Sequence, residues 1–537
     1  AHVNAALASG DLKAAIDDID APTAWPRTLM LWRSNLLGSS AKGNEYFLRT
    51  LLGTHHNVLG TESPETPRPE TIAWHEEAPE GKLDLLVSAD FRMTSTTLLS
   101  DVVFPAATWY EKHDLSSTDM HPFVHAFSPA IDPPWEARTD FELFHGLARK
   151  LSDLAKTHLG VRKDLVSVPL QHDTPGETPL DPYATTPLFQ VVERDYTAIA
   201  DKLASVGPLA DTLGFTVKNV AYRVAEQTRR LARQHGVMPS GPAAGRPAID
   251  TDERMAEAIL LLSGTTNGEL AVQGFRDLET RVGKRLADLA EGSEEKRITF
   301  AMTQSAPVPV ITSPEWSGSE TGGRRYAPFT VNIERLKPFH TLTGRMHFYL
   351  DHDWITDLGE GLPIYRPPLD MHRLFGEPRL GADGSAQVTV RYLTPHSKWS
   401  IHSEYQDNLL MLSLSRGGPT VWMSPQDADA IDVRDNDWVE ATNANGVLVG
   451  RAIVSHRMPE GVVYVHHAQE RTIDVPLSEA TGRRGGIHNS VTQLLVKPTH
   501  LIGGYAQLSY TFNYLGPTGN QRDLVSTIRR RSQEVTY

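Results

Sequence analysis

Four β-branched runs crowd the last third of the chain and leave it few folds to choose from. They are 388–393, 438–442, 446–454 and 461–466. Asn-Gly and Pro-Glu-Gly separate them, the residues that tight strand connections need. Between them, Ser424-Pro-Gln-Asp-Ala-Asp-Ala-Ile431 offers a Ser N-cap and a proline at the first helical position, which predicts a short helix. Many short strands with evenly spaced turns predict a closed barrel, because closure removes unpaired edges.

The first 156 residues read differently. Thr28-Leu-Met-Leu-Trp32 is a continuous apolar run, followed by the Gly/Ser-rich stretch from Arg33 to Asn44 and an apolar helical stretch over 45–52. Strand, turn and helix in that order form the repeating unit of a doubly wound α/β sheet. A second buried strand is predicted at 83–87 and a third ending at Pro105. A polar turn containing Asp90, Arg92 and Thr94 lies between them. Strand ends bearing such residues are where open α/β sheets bind ligands. Apolar positions 143, 144, 147, 148, 151 and 154 predict an amphipathic helix over 141–154.

From 157 to 325 strand alternation fades. Pro-rich stretches at 169–187 give way to predicted helices at 217–235, 252–262 and 275–290, so this region reads as an α-rich insertion. The expected domains are therefore 1–156, 157–325 and 326–537. A length of 537 residues demands more than one core. Net charge is −14 with the basic residues scattered, which argues against a nucleic-acid footprint. No apolar run is long enough to cross a membrane, and no signal peptide is visible. The opening Ala-His-Val-Asn lacks an initiator Met and reads as the start of a fragment. Zero cysteines exclude disulfides and thiolate-held clusters within this chain.

Three polar constellations mark the barrel region. Thr394-Pro-His-Ser-Lys-Trp-Ser-Ile-His-Ser403 gathers cations, hydroxyls and a flat aromatic face at a strand end. That mix suits phosphate oxygens and a heterocycle, although a polar surface loop would read the same way. Arg483-Arg-Gly-Gly-Ile-His-Asn489-Ser-Val-Thr492 combines arginines, close-approach glycines and an amide. Pro498–Tyr505 and Phe512–Asn520 repeat the glycine, aromatic and amide theme, and Thr343-Gly-Arg345 forms an earlier turn. The His55-His56, His466-His467 and Asp351-His-Asp353 groups lack the spacing of a zinc or non-haem iron site. They read as ordinary polar or loop histidines. No Gly-x-Ser-x-Gly elbow and no phosphate-cradling Gly-x-x-x-x-Gly-Lys occurs.

The stretch Asp101-Val-Val-Phe-Pro-Ala-Ala-Thr-Trp-Tyr-Glu-Lys112 resembles the molybdopterin oxidoreductase (DMSO reductase) family. Its continuation, His113-Asp-Leu-Ser-Ser-Thr-Asp-Met-His121, departs from most of that family. With Asp132-Pro-Pro-Trp-Glu-Ala137, the 394–403 loop and the 483–492 motif, it looks like the α-subunit branch of the membrane-associated respiratory nitrate reductases. The likeness covers about the first 150 and the last 210 residues.

This resemblance implies a partial doubly wound α/β domain and a six-stranded, double-psi-type β-barrel that binds dinucleotide. It implies a molybdenum bis(molybdopterin guanine dinucleotide) cofactor and reduction of nitrate to nitrite in anaerobic respiration. Electrons would come from an iron–sulfur β subunit and a membrane γ subunit that oxidises quinol. The subunit would lie peripherally on the cytoplasmic face of the cell membrane. The molybdenum ligand and a four-iron four-sulfur cluster would sit in an N-terminal part, so no catalytic or metal-ligating residue is expected here. On the same resemblance, Ser34, Asn35, Gly38, Ser39, Asp90, Arg92 and Thr94 would face one guanine nucleotide. Thr343, Gly344, Arg345, His396, Lys398, Trp399, His402, Ser403, Asn489, Tyr505 and Asn520 would line the barrel side. Two other readings stay open: a selenate or chlorate reductase, and a non-catalytic nucleotide-binding or subunit-docking module.

Overall fold

A computed structural model describes residues 25–40, 44–53, 81–167, 177–179, 189–313, 329–339, 370–467, 476–483, 487–492 and 524–535, apart from isolated positions within them. A few single residues elsewhere are also described. The chain forms two compact units. One joins Ala1–Phe104 to Phe348–Tyr537, and the other is Pro105–His347.

In the first unit β1 (Thr28–Trp32) pairs in parallel with β2 (Leu85–Asp90), with Leu29 opposite Leu86, and β3 (Val102–Pro105) flanks β2. Leu29, Leu31, Leu37, Phe47, Leu51 and Leu86 face one another across a small apolar space that joins these strands to the helical segment after β1. The sequence predicted a loop and then a helix at 45–52. The structure instead has a π-helix at Leu36–Ser40, one α-turn at Asn44–Tyr46 and a second π-helix at Phe47–Leu51. Wider i→i+5 turns of this kind gather at functional sites and leave no signature in apolar spacing. Helix α1 (Ser95–Leu98) follows β2, capped by Thr94, whose hydroxyl accepts from the Thr97 N–H.

The second unit packs the hairpin β4 (Asp114–Ser117) and β5 (Phe123–Phe127) with α2 (Asp140–His158), α3 (Ala225–His235), α4 (Asp252–Leu262) and α5 (Gly268–Val282). Thr139 and Glu142 form a capping box that starts α2, and the helix buries Leu143, Ala148, Ser152 and Ala155. Leu147, Leu151 and Leu154, expected on the buried stripe, are exposed. The 157–325 region is rich in helix as expected, but it also carries strands that the sequence did not show. Val161–Ser167, Glu177–Pro179 and Phe189–Asp195 make a three-stranded antiparallel sheet, and Phe215–Val217 pairs with Val220–Tyr222. Their charged residues hid the strands: Lys163 lies opposite Glu193, a cross-strand pair that replaces apolar alternation. The helix predicted from 217 therefore begins at Ala225. The one predicted at 275–290 is α5, which runs from an Asn267 cap to Gly283, whose φ of 62° stops it.

The rest of the first unit is a closed barrel of six strands. These are β6 (Ala386–Leu393), β7 (Thr420–Met423), β8 (Trp438–Thr442), β9 (Val447–Val454), β10 (Val462–Val465) and β11 (Leu524–Arg530). Around the ring the order is β6–β10–β7–β9–β8–β11 and back to β6. Alternate residues point inward. Val388, Val390, Tyr392, Val421, Met423, Val439, Ala441, Val463, Val465 and Ile528 form its core. Helix α6 (Pro425–Ala430) begins as the sequence predicted, the Ser424 hydroxyl accepting from the Asp427 N–H at 3.0 Å. One polar network is sealed into the wall. Glu440, fully buried, accepts from Arg529 at 3.2 Å, Arg531 at 2.5 Å and the Ser478 hydroxyl at 3.0 Å.

Candidate functional site

The first half of the site is the turn after β1. Asn35 is buried, and its side-chain oxygen accepts from the Gly38 N–H at 3.1 Å and the Thr96 hydroxyl at 2.8 Å. That hydroxyl also accepts from the Leu37 N–H at 3.0 Å, so the Ser34–Ser39 turn is pinned to α1. Gly38 is buried within the turn. At the end of β2, Asp90 accepts from the Phe91 N–H at 2.8 Å. Burial raises its carboxyl above the usual range, against the pull of that hydrogen bond and of Arg92. Thr94 is spent as the α1 cap. Its neighbour Ser95 is almost fully buried, and its hydroxyl has no hydrogen-bond partner among the described residues. A sealed donor at the first turn of a helix is what an incoming phosphate or carbonyl oxygen would satisfy. Arg92 reaches the barrel loop and donates to the Ser403 carbonyl.

The second half is that loop and the turns beside it. His402, with φ of 48°, shares a 3.1 Å hydrogen bond from Nδ1 to His467 Nε2. His467 Nδ1 in turn meets His488 Nε2 at 3.2 Å. His396 stacks on His467 with ring centroids 4.9 Å apart and planes 5° from parallel. The four imidazoles thus form one continuous chain, from the exposed His396 and His402 to the buried His488. Burial, reinforced by His467, holds His488 well below the ordinary imidazole range, so it is neutral at pH 7. One ring nitrogen each from His396, His402 and His467 lie within 4.8 Å of one another. Lys398 sits over the Trp399 ring at 4.6 Å. Asn489, buried, follows His488 in a 3₁₀ turn, and the Tyr392 hydroxyl donates to the His488 carbonyl at 3.0 Å.

The structure therefore brings together the Asn35 turn, Arg92, Ser403, His396, His402 and Asn489. Arg345 is exposed in the other unit. The Ser39 side chain and Thr343, Gly344, Tyr505 and Asn520 lie outside the described residues. Sequence reasoning read His467 as an ordinary polar or loop histidine, and the structure instead sets it at the centre of the imidazole chain; His488 and Ser95 were not singled out. His467 directly follows the strand-like run at 461–466 and His488 lies inside the Arg483–Thr492 motif, but nothing in the sequence pairs either with the 394–403 loop.

Comparison with known proteins places the chain. The family model for molybdopterin oxidoreductases matches 23–150, that for nitrate reductase alpha chain domain V matches 213–334, and that for the molybdopterin dinucleotide binding domain matches 390–508. A nitrate reductase alpha subunit of Mycobacterium tuberculosis is 64% identical over the whole chain, which spans 45% of that relative. This chain belongs to the nitrate reductase alpha family. Respiratory nitrate reductase 2 alpha chain of Escherichia coli is 46% identical over 98% of the chain and 43% of its own length. More distant is the perchlorate reductase subunit alpha of Dechloromonas aromatica, 29% identical over 94% of the chain and 39% of its own. The chain thus spans less than half the length of these nitrate reductase alpha relatives. The histidine chain lies wholly within the segment that the dinucleotide-binding model matches.

Proposed function

We propose that this chain is the C-terminal part of a nitrate reductase catalytic subunit, forming much of the bed for molybdopterin guanine dinucleotide. The observation that carries the reading is the chain of imidazoles from His396 to His488, set beside the buried amide of Asn489 and the cation of Arg92 in one compact unit. Neutral imidazoles donate from one nitrogen and accept at the other, which complements a pterin's ring nitrogens and exocyclic groups. Lys398 and Arg92 supply charge for phosphates, and the Trp399 face suits a flat ring. Asp90 would accept from the ring and exocyclic N–H groups of guanine, while the Asn35 turn and Ser95 would hold its ribose-phosphate side. When bound, the molybdenum cofactor supplies oxygen-atom transfer; the residues here bind it, orient it and set its electrostatics.

On this reading the α/β segment is doubly wound, the barrel is of the double-psi type, and 1–156, 157–325 and 326–537 are the functional domains. The molybdenum ligand and a four-iron four-sulfur cluster belong to the rest of the subunit. An iron–sulfur β subunit and a membrane γ subunit would pass it quinol electrons at the cytoplasmic face of the membrane. Among the described residues no helix is long and apolar enough to cross a membrane. The 64% identity to the nitrate reductase alpha subunit of Mycobacterium tuberculosis, against 29% to the perchlorate enzyme, favours nitrate over other oxyanions. The test is purification of the complete subunit with molybdenum and guanine nucleotide assays and nitrate-dependent viologen oxidation. Molybdenum, guanine and nitrate turnover together are expected. Guanine without molybdenum would support a nucleotide-binding module instead, and faster chlorate than nitrate turnover would shift the substrate.

A further inference from the structure

Glu45 is an acid that the site described so far does not use. It stands on the α-turn after the Asn35 loop with only 5% of its surface exposed. Its oxygen Oε1 is buried with no hydrogen-bond partner among the described residues. The other oxygen is 3.5 Å from Arg49 on the next turn, and the carboxyl also hydrogen-bonds Ser490. Ser490 follows Asn489 and lies two residues beyond His488.

Three segments converge at this point. A Cβ on Gly446, in the turn between β8 and β9, would lie 2.3 Å from the Ser490 carbonyl and 2.8 Å from Glu45 Cγ, so no larger residue fits there. The same turn holds the far end of the 488–491 segment, where Asn443 donates to the Val491 carbonyl at 2.7 Å. The 3₁₀ turn that carries His488 and Asn489 is thus gripped on one side by the barrel hairpin and on the other by Glu45.

We propose that Glu45 is a positioning residue that holds the His488–Val491 turn to the α/β segment through Ser490, and so fixes the buried end of the histidine chain. Its role toward the cofactor rests on the proposed function; its role in the turn rests on geometry alone. A carboxyl here has little water and an incomplete shell of donors, and the cations facing it are Arg49 and the more distant, exposed Arg483. Burial pushes its pKa up to about 7. Below that pH the carboxylic acid is a neutral donor and acceptor in the grip. Above it a buried charge forms, and the turn must admit water or loosen.

Two readouts on the full-length subunit test this, one of which needs no cofactor. In the first, the unfolding midpoint is measured between pH 5 and 8 for wild type and Glu45→Gln. Glutamine keeps the hydrogen bond and cannot ionise, so wild type should lose several degrees relative to the variant as pH rises through 7. Parallel profiles would overturn the proposal, whether or not cofactor is bound. In the second, guanine nucleotide and molybdenum per chain are assayed at pH 6 and pH 8. Glu45→Ala and Ser490→Ala should retain several-fold less at both values. Glu45→Gln should restore retention and remove its dependence on pH. Wild-type retention by Glu45→Ala would overturn the positioning role. Absence of cofactor from wild type at both pH values would instead count against the proposed function, leaving the unfolding profiles to decide Glu45.

Discussion

At the scale of residues, two buried titratable groups pull stability in opposite directions with pH. Glu45 has its folded pKa raised from 4.5 to about 7. Its contribution is fully present below pH 4.5 and is lost as pH rises through 7, a linkage of about 3 kcal/mol. His488 has its pKa held down by burial, so its contribution is present above 6.5 and is lost as pH falls below it. Unfolding curves of His488→Gln should therefore show a weaker loss of stability between pH 6.5 and 5 than wild type; an unchanged acid limb would show that His488 is not buried neutral. The sequence made His396 and His402 readable because they share one loop with Lys398 and Trp399. His467 and His488 were not, since they meet the loop only through folding, 65 residues from His402 and 21 residues from each other. Ser95 and Glu45 were equally hidden, because an unsatisfied hydroxyl or a desolvated carboxyl depends on what packs around it.

Elements divide by how their pattern is written. Four of the six barrel strands were legible to within a residue or two, because a sheet with one buried face favours period-two alternation, as the inward Val388, Val390 and Tyr392 show, whereas Thr420–Met423 and Leu524–Arg530 were not read as strands. Helix α6 was legible from its cap, and Ser424→Ala should cost about 1 kcal/mol in urea unfolding. A far larger effect belongs to the barrel wall. Glu440→Ala would strand Arg529 and Arg531 in the interior and should destabilise by roughly 3–5 kcal/mol, where Glu440→Gln loses less. Equal, small losses for both would mean that water reaches the network. Helix α2 was found in the right place with its buried face partly rotated: Leu143 and Ala148 pack inward as expected, joined by Ser152 and Ala155, while Leu147, Leu151 and Leu154 are exposed. Of the two π-helices after β1, Phe47–Leu51 lies within the helical stretch predicted over 45–52, while Leu36–Ser40, in the Gly/Ser-rich turn, had no periodic signal to read.

For the molecule as a whole, the least legible fact was its connectivity. The segment Ala1–Phe104 folds with Phe348–Tyr537 across 243 intervening residues that form their own unit, Pro105–His347. That arrangement puts the Asn35 turn, Arg92 and the barrel histidines in one unit, where composition alone divided the chain in sequential order. The central claim is that this unit is a cofactor bed and that the imidazole chain with Asn489 is its barrel side. The most direct measurement is molybdenum and guanine nucleotide per chain in the complete subunit, compared for wild type, His402→Ala and Asn489→Ala, with folding checked by circular dichroism. The account predicts near-stoichiometric cofactor in wild type and several-fold less in both variants at unchanged fold. Full cofactor content in both variants would contradict it.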